Sequence, residues 1–458
     1  METNSIEHSG HHFIAVFGGS VAGSEAANQL VHRGFRVVVF EQNLLPYGKI
    51  EDGLPKWHVK LRDKEEGRIN DKIDHPNISF VPGVTLGDDI KFEDLVNNWG
   101  FTAVLIATGA WKDRPLPIEA IEDYIDKGLI NQNPFIYWFN HYHEPEFNGQ
   151  QYDIKDNAIV VGGGLASIDV VKALMFVTVE NALKDRGIKT NLLELERSIA
   201  KVLESNGLTL DDLGLKGCTL YYRRRDADMP LSTVEKDSPE NIEKAERVTL
   251  KILENAMSKF LFKFVPCHAP VEKIVENGKL VGIRFEKTRI ESGRVIPSGE
   301  FEEYRSELII SSIGSIPEEI EGMPFSGSTF EIKDQKTCQL EGFKNVYLLG
   351  NAVTGRGNIK DSLDHGREIS LEIMNNELNW QEEDYDKWLR GTEDNIAEQV
   401  DHIGEQIKRE EFMPEEVIQG IHKKIAALQQ KTGYDGDYRK WVQKNLPTRL
   451  EDILGLDH

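Results

Sequence analysis

The stretch VFGGSVAGSEAANQL, residues 16–30, constrains this chain more than any other. An apolar run over 12–18 (HFIAVFG) meets a glycine-rich turn. A helical pattern over 22–33 follows, with Ala22, Ala26, Ala27 and Leu30 suited to close packing on a sheet. Residues 35–41 (FRVVVFE) read as a second strand, apolar nearly throughout, as a parallel strand covered on both faces is. The whole is a βαβ unit. Its turn aims the free N–H groups and the positive end of a helix at an anion. In the GxGxxG scheme the first glycine permits the turn, the second admits the backbone to a pyrophosphate, and the third lets helix and strand pack. Here those places hold Gly18, Ser20 and Gly23, and the helix opens near Ala22. Serine adds one Cβ near the phosphate and a hydroxyl able to donate to it. Glu41 ends the next strand, twenty-three residues after Gly18, where an acid accepts hydrogen bonds from an adenosine ribose. A carboxylate there repels a 2′-phosphate, so the first unit suits FAD or NAD.

A second unit of the same kind begins at residues 157–162 (NAIVVG), with a turn over 163–167 and a helix over 168–184. Gly162, Gly164, Leu165 and Ser167 form this turn. The following strand, 218–222, is delayed by a polar, helix-rich insertion near 183–216, and it ends in Tyr222-Arg223-Arg224-Arg225. No acid stands where Glu41 stands in the first unit. The forked guanidinium groups of Arg223 and Arg224 match the oxygens of a 2′-phosphate, which reads as NADPH; the bland alternative is a solvated basic cluster. Two further apolar segments, 103–109 (AVLIATG) and 307–314 (ELIISSIG), close the two units. The expected fold is α/β, with two Rossmann-like dinucleotide-binding domains and a helical C-terminal extension. Residues 1–113 and 330–376 form a discontinuous FAD-binding domain, 114–329 the NADPH-binding domain, and 377–458 the extension. A flavin unit and an NADPH unit in one polypeptide specify hydride exchange between the two cofactors, whose chemistry is their own.

Composition narrows the rest. With 458 residues, 39% hydrophobic and 29% charged, the chain has the make-up of a globular enzyme of two or three domains. A net charge of −23 argues against nucleic acid or an anionic membrane as the main partner. No apolar run has the length of a membrane span, and the polar, acidic first residues resemble no signal peptide, so a cytoplasmic location is expected. Cys218, Cys267 and Cys338 are far apart and form no CxxC, so neither a redox disulfide nor a metal or iron–sulfur ligand set can be read; no metal is expected.

Over roughly residues 12–375 the chain resembles the adrenodoxin reductase-like ferredoxin–NADP reductases and the related glutamate synthase small subunit. GGSVAG with Glu41, LPYGKIEDGLPKWH (45–58), ISFVPGVTLGDDIKFEDL (78–95), AVLIATGA (103–110), YYRRRDADMP (221–230), the stretch 282–314 and VYLLGNAVTGRGNIKDS (346–362) carry the resemblance. It implies flavin contacts at Gly48, Leu54, Thr108, Gly109, Gly350, Asn351, Gly357 and Ile359. It also implies a role near the flavin for His58, the one catalytic candidate, which either orients and tunes the ring or serves packing. Asn351 departs from the aspartate of the small-subunit relatives. The sequence shows no counterpart of their cysteine-rich iron–sulfur segment. The resemblance implies an FAD-dependent NADPH oxidoreductase that passes electrons to a redox acceptor protein, ferredoxin-like or a partner subunit. Two alternatives stand beside it: an electron-input subunit of a larger complex with the helical tail as its docking element, and a non-catalytic flavin-binding scaffold or sensor. On the first reading the tail is dispensable for NADPH-driven reduction of a dye.

Overall fold

The computed structural model describes residues 11–232, 234, 237–353 and 382–455. Two five-stranded sheets, each parallel throughout, are wound in the same way. In the first, β1 (Phe13–Phe17), β2 (Arg36–Glu41) and β3 (Ile78–Pro82) step outward in one direction. The chain then returns to the other side of β1 with β4 (Ala103–Ile106), and β17 (Val346–Leu348) completes the edge. In the second, β7 (Ile159–Gly162), β8 (Thr219–Tyr221) and β9 (Lys263–Val265) step outward, β13 (Ile309–Ser312) returns beside β7, and β6 (Leu129–Asn131) is the edge. Each reversal opens a crevice at the carboxyl ends of its strands, between β1 and β4 and between β7 and β13. Open α/β sheets bind ligands at such points. The helices that follow the two glycine turns are α1 (Val21–His32) and α5 (Leu165–Asp185).

Two short strands join the units. β5 (Lys112–Asp113) continues from β4, β14 (Ser315–Ile316) continues from β13, and they pair antiparallel, Asp113 opposite Ser315 and Lys112 opposite Ile316. A third sheet covers the second unit: the antiparallel meander β10 (His268–Glu276), β11 (Lys279–Glu291) and β12 (Arg294–Arg305), with Phe285 stacked on Tyr221 of β8 at 4.4 Å. The insertion after α5 holds α6 (Leu192–Arg197) and α7 (Ile199–Ser205), and α8 (Pro239–Phe260) leads into β9. A small hairpin, β15 (Phe325–Ser326) with β16 (Thr329–Phe330), lies on the way back to β17. Two helices meet across the units, α2 (Lys49–Asp52) and α4 (Gln132–His141), through Lys49–Asn133 and Asp52–His141, while α3 (Val59–Ile73) packs in the first core.

The C-terminal residues are more than an appendage. Alternation along β1 and β2 sends Ile14, Val16, Val37 and Val39 to one face of the first sheet and Phe13, Ala15, Phe17, Val38 and Phe40 to the other. The tail covers both. On the first face α9 (Glu382–Ile407) buries Ile396, Val400, Ile403 and Ile407 against α1, and these follow a 4-3-4 spacing that makes a single apolar stripe. On the second, α10 (Glu415–Thr432) buries Ile418, Ile421 and Ile425 beside Phe13 and Phe101. Buried side-chain amides stitch the helices to the strands. Gln399 Nε2 donates to the carbonyls of Leu348 at 2.7 Å and Thr337 at 2.8 Å, and Gln429 Nε2 to that of Phe80 at 2.8 Å. In α11 (Tyr438–Asn445) the Tyr438 hydroxyl donates to Asn70 at 2.7 Å and the Trp441 indole to the Leu44 carbonyl at 2.7 Å. Arg449, just before α12 (Leu450–Leu454), pairs with Glu66 at 2.7 Å and with Glu51 of α2. Among the described residues no helix is long and apolar enough to cross a membrane.

A tail that supplies both faces of a core is not dispensable, contrary to the reading from sequence. Ile403→Ala should cost about 2–5 kcal/mol, the usual range for truncating a fully buried isoleucine. The measurement is the urea midpoint. A chain ended at residue 381 should lose the part of the cooperative transition that belongs to the first unit and take up no FAD, and an unchanged transition with FAD bound would show that the first sheet folds without its tail.

Candidate functional site

The first turn is tight on all sides. Gly18 has φ +96°, and a Cβ there would stand 2.4 Å from the Ala107 carbonyl oxygen at the end of β4. A Cβ at Gly23 would come within 1.7 Å of the Gly18 carbonyl oxygen, so helix and strand touch through backbone alone. Ser20 is the N-cap residue of α1, but its side chain makes no capping bond and no acid occupies the helix's first turn. The leading N–H groups, Ala22 among them, therefore have neither a side-chain cap nor a competing carboxylate. The Ser20 hydroxyl donates instead to the Tyr47 carbonyl at 2.8 Å. This corrects the expectation that its proton serves a phosphate: serine ties the 45–48 segment over the turn. Gly48, φ +50°, lies against it, with room only for hydrogen; a Cβ would stand 3.0 Å from that of Ser20.

Glu41 lies buried at the end of β2. Its Oε2 accepts the Gly19 N–H at 2.7 Å and its Oε1 the Asn43 N–H at 3.0 Å, so the turn itself aims the carboxylate. Burial pushes its pKa up to about 7, and the two backbone N–H groups only partly oppose this. Thr108 and Gly109 follow β4 half-buried. Gly350, φ +56°, follows β17, and a Cβ there would stand 2.8 Å from that of Ala22. Asn351 beside it is exposed. The ends of β1, β4 and β17 thus meet at the start of α1. Gly357 and Ile359 lie outside the described residues. Leu54 is drawn elsewhere. It is buried in the first core and lines a cavity with Lys56, Arg62 and Arg449, beneath the tail rather than over the turn.

In the second turn the glycines divide their work differently from the reading of the sequence. A Cβ at Gly162 would meet Ser167 Oγ at 2.1 Å and the Ser312 carbonyl oxygen at 2.4 Å. One at Gly163 would strike the Tyr222 ring at 2.1 Å. Gly164, the N-cap residue of α5, has nothing within 4 Å. Leu165 then begins the helix, whose first turn carries no acid. The open side of this turn is at Gly164. Ser167 is buried and its hydroxyl donates to the Ser312 carbonyl at 3.0 Å, so it joins helix to strand and does not face the crevice. The Gly163–Tyr222 contact escaped the sequence reading because it spans two strands; the middle glycine of the run 162–164 was the available signal.

The three arginines separate by partner. Arg225 is taken by Asp228 at 2.7 Å and Glu246 at 3.0 Å. Arg224 donates to the Gly293 carbonyl, at the tip of the β11–β12 hairpin, at 2.9 Å. Arg223 is exposed, and among the described residues its guanidinium makes no ion pair or hydrogen bond, while its carbonyl accepts the Thr288 hydroxyl at 2.8 Å. His58 precedes α3 and lies next to Trp57 of the second core. Burial, helped by the Lys172 cation, holds its pKa down near 3. Its surroundings favour the neutral imidazole.

Between the turns lies a polar seam that the sequence did not announce. Asn133 Nδ2 donates to the Trp111 carbonyl at 2.7 Å and to Ser315 Oγ at 2.9 Å, and its N–H is 3.2 Å from the Asp113 carboxylate. Lys49 Nζ donates to Asn133 Oδ1 at 3.1 Å. Farther along α4, Asn140 holds the 51–56 segment of the first unit through the carbonyls of Glu51 and Leu54, both at 2.9 Å.

These donor sets fit two dinucleotides. Each crevice offers an uncapped helix N-terminus without an acid. One adds a buried carboxylate with lone pairs left for a ribose diol, the other an unengaged guanidinium and no carboxylate at the corresponding strand end. No family model matches the chain. Individual proteins do. It is 25% identical over 350 residues to the mitochondrial NADPH:adrenodoxin oxidoreductase of Arabidopsis thaliana, spanning 68% of this chain and 69% of that one. It is 25% identical over 375 residues to the NADPH-ferredoxin reductase FprA of Mycobacterium leprae, spanning 74% and 78%. The chain is a homologue of these reductases. The solved structure of Mycobacterium tuberculosis FprA in complex with NADPH shares the fold, with a TM-score of 0.64 at 19% identity over 92% of this chain and 91% of that one. The two-domain architecture of these reductases is therefore that of the present chain.

The contrast between adjacent glycines is testable. Gly164→Ala should leave the melting temperature within about a degree, because a surface change in open space costs little, and should weaken NADPH about tenfold by crowding the open turn. Gly163→Ala should destabilise the fold itself. Equal melting losses in both would contradict this arrangement.

Glu41 supplies a pH-linked prediction. A ribose diol donating to the carboxylate favours its charged form, so binding lowers a pKa that burial has raised. Near pH 7 about half of the apoprotein carries the proton, and FAD expels it. Affinity should rise with pH, levelling off above about 7, and fall up to tenfold per unit below. Calorimetry in buffers of different ionisation enthalpy should find roughly half a proton released at pH 7, and none with Glu41→Gln. Absence of release in the unaltered chain would rule the linkage out.

Proposed function

We propose that this chain is an FAD-dependent NADPH oxidoreductase that passes electrons on to a ferredoxin-type iron–sulfur protein. The observation that carries the reading is the pairing of two switch-point crevices of opposite electrostatic preference, with Glu41 buried at one and Arg223 exposed and unengaged at the other. The bound cofactors supply the hydride chemistry themselves. What the protein contributes is binding and orientation. The N-terminus of α1 takes the FAD pyrophosphate, and Glu41 takes the adenosine ribose. The open turn at Gly164 takes the NADPH pyrophosphate, with the 2′-phosphate held by Arg223 and by Arg224, whose bond to the Gly293 carbonyl fixes the plane of its fork. His58, neutral and packed against α5, orients without exchanging a proton. The names of the homologues, adrenodoxin and ferredoxin reductases, support the class of acceptor. A cytoplasmic place of work is part of the same reading, in keeping with three free thiols.

A free reductase is preferred to an electron-input subunit because the tail is already occupied. The apolar stripes of α9 and α10 are buried against this chain's own sheet, so the docking element that the subunit reading requires is spent on folding.

The test is a visible spectrum. Purified protein should be yellow and should bleach within seconds when NADPH is added without oxygen. Arg223→Ala with Arg224→Ala should weaken NADPH at least tenfold, since charge-assisted phosphate bonds are worth about 1.5–3 kcal/mol each, and leave NADH nearly unchanged. Equal loss for both nucleotides would refute the phosphate role, and a colourless protein that takes up no FAD would refute the reading as a whole.

A further inference from the structure

One half-buried cation stands where the two units meet and serves neither turn as an anion donor. Lys49 follows Gly48 at the start of α2. Its Nζ donates to Asn133 Oδ1 at 3.1 Å and to Ser315 Oγ at 3.3 Å, and it lies 5.2 Å over the Trp111 ring. Among the described residues it forms no ion pair. The nearest opposing field is that of Asp113, whose carboxylate is already engaged by the Asn133 N–H at 3.2 Å. Burial lowers the Lys49 pKa to about 8, with Asp113 only partly offsetting it. Withdrawing an ammonium from water, even in part, is unfavourable unless it is paired. Two neutral oxygens and a ring face return only part of that.

The position explains what else could. Gly48, the preceding residue, packs on Ser20 of the first turn. Trp111 stands two residues beyond Gly109 at the end of β4. Ser315 stands three residues beyond Ser312, whose carbonyl presses on Gly162 of the second turn. The side chain therefore spans the seam between the two crevices, where a flavin and a nicotinamide held by them must meet. Apolar residues would close that seam at lower cost. A cation fixed there favours whichever state of the site holds an added negative charge.

We propose that Lys49 is a built-in countercharge for the reduced flavin. The proposal rests on the function argued above and adds to it a residue that sets the flavin's potential. Were both cofactors bound, hydride transfer would break the nicotinamide C4–H bond and form the flavin N5–H bond, leaving one added negative charge on the flavin and one positive charge on the nicotinamide and drawing no proton from the protein. Lys49 gives and takes nothing. It is held in place by Asn133 and Ser315, and its field opposes the charge that the hydride brings.

The test uses the flavin-loaded protein and two substitutions. Lys49→Met keeps length and removes charge; Lys49→Arg keeps charge. The readouts are the midpoint potential, by anaerobic titration against a reference dye, and the affinity for inorganic sulfite, which adds to flavin N5 and brings a negative charge to the ring. Lys49→Met should make reduction about tenfold less favourable, about 30 mV for a two-electron couple, and weaken sulfite by a similar factor. Lys49→Arg should keep both near their original values. If Lys49→Met does not retain FAD, Lys49→Gln, which can keep the bonds to Asn133 and Ser315, gives the same reading. An unchanged potential and sulfite affinity with only a lower melting temperature would make Lys49 a structural bridge and overturn the proposal. So would a change confined to the NADPH dissociation constant. Failure of the unaltered chain to bind FAD is a separate result, which removes the parent reading and this one with it.

Discussion

The ribbon of β5 and β14 fixes the rest of the structure. Each of these strands leaves the carboxyl end of the strand that borders a crevice, β4 in one unit and β13 in the other, and the two pair with each other. Two crevices that would otherwise lie on independent domains are thereby placed a few residues apart, facing a common seam. A ribbon of two residue pairs is too short to be stable alone. The side chains around it supply what the ladder lacks. Asn133 bonds to both crossing segments, Lys49 ties α2 to the same asparagine, and Asn140 repeats the device at the other end of α4. The placement of the two crevices is thus held by polar contacts to backbone and amide groups as well as by Trp57, which packs on Phe139 and Phe176 of the second core.

Electrostatics then assigns the crevices. Both helices offer the same N-terminal donors, so pyrophosphate binding does not tell them apart. What does is the end of the second strand of each unit. In the first it is a carboxylate without a cationic partner, kept in place by the turn's own N–H groups. In the second it is a run of three arginines of which one is neutralised by Asp228 and Glu246, one is held by a carbonyl, and one is left over. A group that has found a strong intramolecular partner is poorly placed to bind a ligand. By that criterion Arg223 is the most available of the three, Arg224 less so and Arg225 least, a ranking that three consecutive identical residues cannot express.

The sequence disclosed what depends on local pattern. Both βαβ units, their turns, Glu41 and the arginine strand end were legible, because a turn that lacks a Cβ and a strand that is apolar throughout are properties of contiguous residues. What it withheld depends on contacts between distant segments. Ser20 and Ser167 looked like ligand donors and are committed to the carbonyls of Tyr47 and Ser312. Leu54 looked like a flavin contact and is drawn under the tail. Lys49 lay within a quoted stretch, yet its burial is created by Trp111, Asn133 and Ser315. The third sheet went unread as well, since β11 and β12 are long, charged on their outer faces and joined only by Ser292-Gly293.

The tail shows how charge conceals a core. Residues 382–455 are rich in Glu, Lys and Arg, which reads as solvated surface, and in a helix most of those residues are. The apolar ones fall on single stripes, and on the α10 side they complete a cover that Trp99, Phe101 and the residues around Phe330 begin. Two parallel faces, both apolar, must each be buried. α1 and α3 suffice for only part of one. A chain whose first domain leaves a parallel sheet half covered has to find further helices somewhere, and here it finds them after β17. That requirement also accounts for the ion pairs from Arg449 to Glu51 and Glu66. They bind the segment before α12 to α2, the helix that carries Lys49, and to α3, so the tail braces the near side of the seam.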